Sequence, residues 1–184
     1  MTVTSALAPD VPDRTGAVAG DESTPEAPRL PAPDAPEGWL LFDTRFGRCA
    51  IAWSEDGITR IRLPGVSDEA TARAIANGRR HVCGSDLPHH AARAIVALQR
   101  YFAGRPLELD DIPVDLASTS PFERKVLTRL RTVKRGTTTT YGALARLVGE
   151  PGAARAVGMA MARNPFPLIV PCHRVLASGN KKGG

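Results

Sequence analysis

The sequence predicts an α+β protein, in which a small N-terminal antiparallel β-sheet with helices precedes an all-α helix-turn-helix domain. Three observations predict it. Short apolar or alternating segments cluster between Gly38 and Pro64, which is the pattern of paired strands. Beyond them the apolar positions recur at helical spacing, with capping residues in front and glycine or proline behind. The charge also shifts along the chain: residues 1–36 carry two basic and six acidic side chains, residues 37–116 ten and eleven, and residues 117–184 twelve and two. The formal net charge of +5 thus conceals a strongly basic last third, suited to a polyanionic partner.

These shifts divide the chain into a Pro/Ala/Asp-rich tail over 1–36, expected to be disordered, an N-terminal α/β domain over 37–116 and a C-terminal domain over 117–184. In the second region W-L-L-F-D, G-R-C-A-I-A-W and G-I-T-R-I-R-L-P form a meander, with Glu55-Asp56-Gly57 as a hairpin turn. Cys49 falls in its second strand as a core residue. Helices are expected over 67–80, opened by Ser67, and over 91–102, stopped by Gly104 and Pro106. Residues 107–117 read as a linker with one short strand. Ser120 then caps a helix over 121–132, with Pro121 at its first position and Glu123 completing a capping box.

No apolar run reaches 18 residues, and residues 1–13 lack the basic and apolar regions of a signal peptide, so the expected location is cytoplasmic. Cys49, Cys83 and Cys172 show no C-x-x-C spacing and are expected as reduced thiols. His81, Cys83, His89 and His90 match no common zinc pattern; neither a metal nor a cofactor is expected.

Thr140 opens a short helix over 141–148; after Gly149 and Pro151 a second runs over 152–163, and the pair fits a helix-turn-helix. The second helix is mostly Ala and Gly, small enough to lie against a DNA groove or against its neighbouring helix. Arg155 stands near its N-terminus, where an arginine opposes the helix dipole and is explained better by an outward task. Asn164 to Val175 follows as N-P-F-P-L-I-V-P-C-H-R-V. Its three prolines forbid a helix and predict a stiff extended rod that crosses the core and emerges at Cys172. His173 and Arg174 beside that thiol would favour its thiolate, whereas the plainer reading makes Cys172 a small buried hydrophobe.

From Phe122 to Val175 the sequence resembles the C-terminal domain of the O6-alkylguanine-DNA alkyltransferases. The likeness is carried by F-E-R-K-V-L, T-T-Y-G-A-L-A, A-A-R-A-V-G-M-A-M and R-N-P-F-P-L-I-V-P-C-H-R-V. The resemblance implies an RNase H-like N-terminal domain and a winged-helix-like C-terminal one, with Cys172 as irreversible alkyl acceptor. It further implies His173 as water-mediated base, Asn164 as a brace, and Arg155 and Tyr141 as the residues that extrude the base. Ala153 and Ala156 would lie against DNA, and Met161, Val175 and Pro167 would line the pocket. The implied partner is duplex DNA containing O6-alkylguanine or O4-alkylthymine, met by a monomer at the bacterial nucleoid. Members of the family continue into a glycine-rich loop and a helix bearing a Glu. Here no acidic residue follows Glu150 before Gly184, which raises the expectation of a C-terminally truncated chain. The alternative is then a non-catalytic or impaired alkylated-DNA-binding protein. An ordinary helix-turn-helix regulator would have no use for P-C-H-R, and papain-like proteases draw Cys and His from distant positions.

Overall fold

The computed structural model describes residues 37–83 and 86–177; the tail expected over 1–36 and the expected truncated end lie outside them. The meander forms as expected: β1 (Gly38–Thr44), β2 (Gly47–Ser54) and β3 (Gly57–Arg62) make an antiparallel sheet in that order. The register pairs Trp39 with Ala52, Leu41 with Ala50, Leu40 with Ile51 and Phe42 with Cys49. Because side chains alternate across a strand, this sorts Trp39, Leu41, Ala50 and Ala52 to one face and Leu40, Phe42, Cys49 and Ile51 to the other. The alanine face receives α1 (Asp68–Ala76), whose Ile75 is buried there, and Ser67 caps that helix by accepting from the Ala70 N–H at 3.2 Å. The larger face joins α2 (His89–Phe102), through Ala91, Ala94 and Leu98, to the main core. Burial raises the Cys49 thiol above its ordinary value, which keeps it protonated and inert.

Both edges of the sheet are paired over part of their length, which shortens the run of unpaired backbone groups. On β1, Trp39 donates to Arg80 and accepts from Val82. On β3, Ile58 donates to Pro113 and accepts from Asp115, while Ile61 donates to Pro165 at 2.8 Å. The strand expected within 107–117 is reduced to a single bridge between Ile58 and Val114. Nor is this segment a loose linker: Leu109 and Ile112 are buried, and the Arg131 guanidinium donates to the carbonyls of Asp110 and Ile112. A side chain 19 residues away supplies the partners a strand would have had.

The C-terminal region is helical apart from a two-residue parallel pair. α3 (Pro121–Leu130) starts in the predicted capping box and packs with α4 (Tyr141–Leu147) and α5 (Ala154–Ala162). Thr140 caps α4, and the turn into α5 uses Gly149 and Gly152, both at positive φ. β4 (Thr139–Thr140) pairs with β5 (Val175–Leu176), so the start of α4 is fastened to the chain just after Cys172.

Gly57 closes the β2–β3 hairpin at φ +150°, and a Cβ there would stand 2.8 Å from the Pro113 carbonyl oxygen. Gly57→Ala is therefore expected to cost about 1–3 kcal/mol, read as a lower urea midpoint at unchanged slope. An unmoved midpoint would mean that the 113–115 segment yields freely.

Candidate active site

The segment from Asn164 to Cys172 is a compact turn, not the extended rod expected from its prolines. The prolines constrain themselves and the residues before them, leaving Leu168 and Ile169 free to reverse direction. Asn164 organises the reversal. Its Oδ1 accepts from the Phe166 N–H at 2.9 Å, an Asx turn, and its Nδ2 donates to the Val170 carbonyl at 2.9 Å. The Val170 N–H closes the loop onto the Phe166 carbonyl at 2.8 Å, with Leu168 held at φ +73°. Such a conformation is costly for leucine and persists because Phe166, Ile169 and Val170 on either side are buried.

The exit of the turn delivers the thiol. Pro171 (φ −81°, ψ 66°) is the centre of an inverse γ-turn in which Cys172 N–H bonds Val170 C=O at 2.9 Å; a 3₁₀ turn over Cys172–Arg174 follows. Successive side chains in a 3₁₀ turn do not alternate to opposite faces as they would along an extended rod. Cys172 is half-buried and His173 exposed.

The two cations expected beside the thiol take other forms. Arg174 is buried, donating to the Val133 carbonyl at 2.5 Å and pairing with Glu108 at 3.6 Å, so its charge is engaged elsewhere. Desolvation of its ring, and next the Arg174 guanidinium, hold His173 below the ordinary imidazole range. A neutral imidazole can accept a proton, which suits a base better than a second cation would.

The remaining predicted residues fall into two groups. Met161 and Val175 are buried, and Pro167 is half-buried. Met161 is tied to the turn through its carbonyl, which accepts from Asn164 N–H at 3.2 Å. Tyr141 is half-buried; it follows directly on β4, whose Thr140 pairs with Leu176, and its ring borders Gly158 on α5. Arg155 and Ala156 are exposed and Ala153 half-buried, at the N-terminal end of α5. Sequence reasoning missed the residues that hold the turn from outside: Ile61, Glu108 and Val133, whose roles lie in long-range contacts with no local signal. Among the described residues no group of three His, Cys, Asp or Glu side chains could hold a metal; the Cys83 sulfur instead lies 3.4 Å from His81 Nδ1.

Fold and site together define a helix-turn-helix protein whose second helix runs into a turn that presents a cysteine. Residues 39–116 match the family described as 6-O-methylguanine DNA methyltransferase, ribonuclease-like domain, and residues 121–184 its DNA binding domain. The chain is 45% identical to the methylated-DNA-protein-cysteine methyltransferase of Mycolicibacterium paratuberculosis, over 79% of this chain and 82% of that one. With the human protein of the same name it shares 34% identity, over 78% and 72%. A crystal structure of Mycobacterium tuberculosis OGT in complex with DNA superposes with a TM-score of 0.63 at 32% identity, covering 80% of this chain and 83% of that one. The chain belongs to the O6-alkylguanine-DNA alkyltransferases, the methylated-DNA-protein-cysteine methyltransferases of DNA repair. The relatives' names do not favour the alternative of a non-catalytic binder. Among the described residues no helix is long and apolar enough to cross a membrane.

Asn164→Ala leaves the Phe166 N–H without its acceptor and removes one of the two donors to the Val170 carbonyl, and is expected to cost about 1–3 kcal/mol in urea unfolding. Asn164→Asp keeps the first acceptor but sets a carboxylate oxygen against the carbonyl, and should lose no less. An alanine variant as stable as the parent would show that packing alone holds the turn.

Proposed function

We propose that the protein repairs duplex DNA by rotating an O6-alkylguanine out of the stack and taking the alkyl group onto Cys172, once per molecule and as a monomer. The observation that carries this reading is the half-buried thiol at the exit of the Asn164 turn, fastened through β5 and β4 to the first residue of the helix-turn-helix. We further propose that residues 37–116 and 117–184 are the two domains, with the second bearing both DNA contacts and nucleophile. The last third's basic excess supports DNA as the partner.

An alkyl group on guanine O6 is hidden in the stack, and extruding the base costs a few kcal/mol, which backbone contacts offset. The exposed Arg155, with Ala153 and Ala156 allowing close approach, would enter the duplex; Tyr141 would steer the flipped nucleotide. Pro167, Met161 and Val175 would border the base. His173, acting through water, would take the thiol proton. The thiolate then attacks the alkyl carbon, an S–C bond forms, the C–O bond breaks with its electron pair passing to the guanine, and a proton neutralises the leaving base. Because the thioether does not readily hydrolyse, the protein is consumed. O4-alkylthymine presents the same exocyclic alkyl ether and would be a second substrate.

Incubation with duplex containing O6-methylguanine should add one methyl group to the peptide carrying Cys172, and Cys172→Ala should bind the duplex without transfer. An unchanged mass at protein excess would remove the proposal. Arg155→Ala is expected to weaken binding to damaged duplex by about tenfold or more, the effect of losing a contact worth roughly 1–3 kcal/mol. The transfer rate should also report His173. With its pKa depressed, the neutral base survives as pH falls past 6.5, so the acid limb should lie below the ordinary imidazole value; a limb at or above it would exclude this histidine as the base.

A further inference from the structure

The solvent face of α5 carries more than Arg155 and Ala156. With 3.6 residues to the turn, Arg155, Ala156, Met159, Ala162 and Arg163 fall on one stripe of the helix, and Met159 stands at its middle. The Arg163 N–H still bonds the Met159 carbonyl at 3.1 Å, so the stripe keeps helical geometry to its end. All five residues are exposed, whereas Val157, Ala160 and Met161 on the opposite side are buried. The stripe therefore has a cation at either end, methyl and thioether groups between them, and no acidic side chain. Arg163 lies 3.6 Å from Glu123 but keeps a side chain 67% exposed. Met159 itself is 51% exposed and belongs to neither hydrophobic cluster of the fold. Helix formation does not call for it, because alanine, the residue at 156, 160 and 162, is the better helix former.

A single apolar side chain on a surface needs no explanation by itself. This one occupies the centre of the helix face that bears Arg155, flanked by alanines that leave it the tallest apolar group there. Eight residues separate the two arginines, about 12 Å at the rise of an α-helix. An apolar strip bracketed by cations matches duplex DNA, which offers phosphates on its outside and the apolar parts of sugars and base edges within its grooves. We infer that Met159 is a further DNA-contacting residue, packing against sugar and base edges one helical turn from Arg155. The unbranched thioether adapts to an irregular surface, and its contact is made by loss of water, not by charge. Met159 would thus hold α5 close to the duplex while Arg155 enters it, and would supply a share of the affinity that salt does not screen. The inference rests on the proposed role of α5 as the helix that meets DNA.

The test is binding of the full chain to undamaged duplex over a range of salt concentrations, for the parent and for Met159→Ala, Met159→Gln and Met159→Leu. Met159→Ala should bind about tenfold more weakly at every salt concentration, as expected when an apolar contact of this size is removed. The slope of log affinity against log salt should not change, because no cation is lost. Met159→Gln keeps the length without the apolar end and should lose as much, whereas Met159→Leu should restore most of the affinity. Urea midpoints should be the same in all four proteins. Parental affinity in Met159→Ala overturns the inference, as does a glutamine variant that binds as tightly as the leucine one. A loss confined to low salt, or one matched by a fallen urea midpoint, overturns it too. If the parent transfers a methyl group to Cys172 while Met159→Ala binds as tightly, this inference falls and the repair reading stands; if the parent binds no duplex, both fall.

Discussion

The Asn164 carboxamide gives the Phe166 N–H its acceptor and the Val170 carbonyl a second donor, and the position of Cys172 follows from it. With Phe166 and Val170 fixed, the Val170 carbonyl is aimed at the Cys172 N–H and the inverse γ-turn at Pro171 is determined. The stabilisation of such bonds is modest when they form, about 1 kcal/mol each, but a buried backbone group left without one loses more. Phe166, Ile169 and Val170 are apolar and buried, so water is a poor alternative partner for their backbone.

Around that turn the fold is arranged as a set of external fastenings. The edge strand β3 holds Pro165 through Ile61 and holds the 113–115 segment through Ile58. Arg131 anchors residues 110–112 from the side of α3, and Arg174 anchors the 3₁₀ turn to Val133 and Glu108. The N-terminal sheet therefore reaches the turn that carries the thiol through main-chain hydrogen bonds. This explains how a half with little charge excess contributes to a site whose chemistry lies in the basic half.

Much of this was legible in the sequence because the signals are local. Ser67, Ser120 and Thr140 mark helix starts, each accepting from the third backbone N–H beyond it. The meander was legible from alternation and its E-D-G turn, and P-C-H-R singled out Cys172. The turn at Asn164 was misread because the prolines outweighed the Asn-Pro pair, itself a turn-initiating signal. What could not be read is the set of contacts between residues far apart: Arg174 with Glu108, Arg131 with Ile112, Ile61 with Pro165. Arg174 illustrates the cost, since its sequence position beside the thiol suggested a cation acting on sulfur, whereas burial directs it to a carbonyl and a carboxylate.

The edge of β3 has a consequence for how such a chain can be rebuilt. A chimera that exchanged the first half for a homologous one would tolerate wide change on the exposed faces of the outer helices, provided that Gly57 is kept. It would not tolerate a one-residue slip of the third strand, because side-chain and amide directions invert with each step. The amide at Ile61 would then turn from Pro165, leaving that carbonyl without its donor. Modularity in this architecture is thus a matter of strand phase, and a graft succeeds or fails on a single main-chain group.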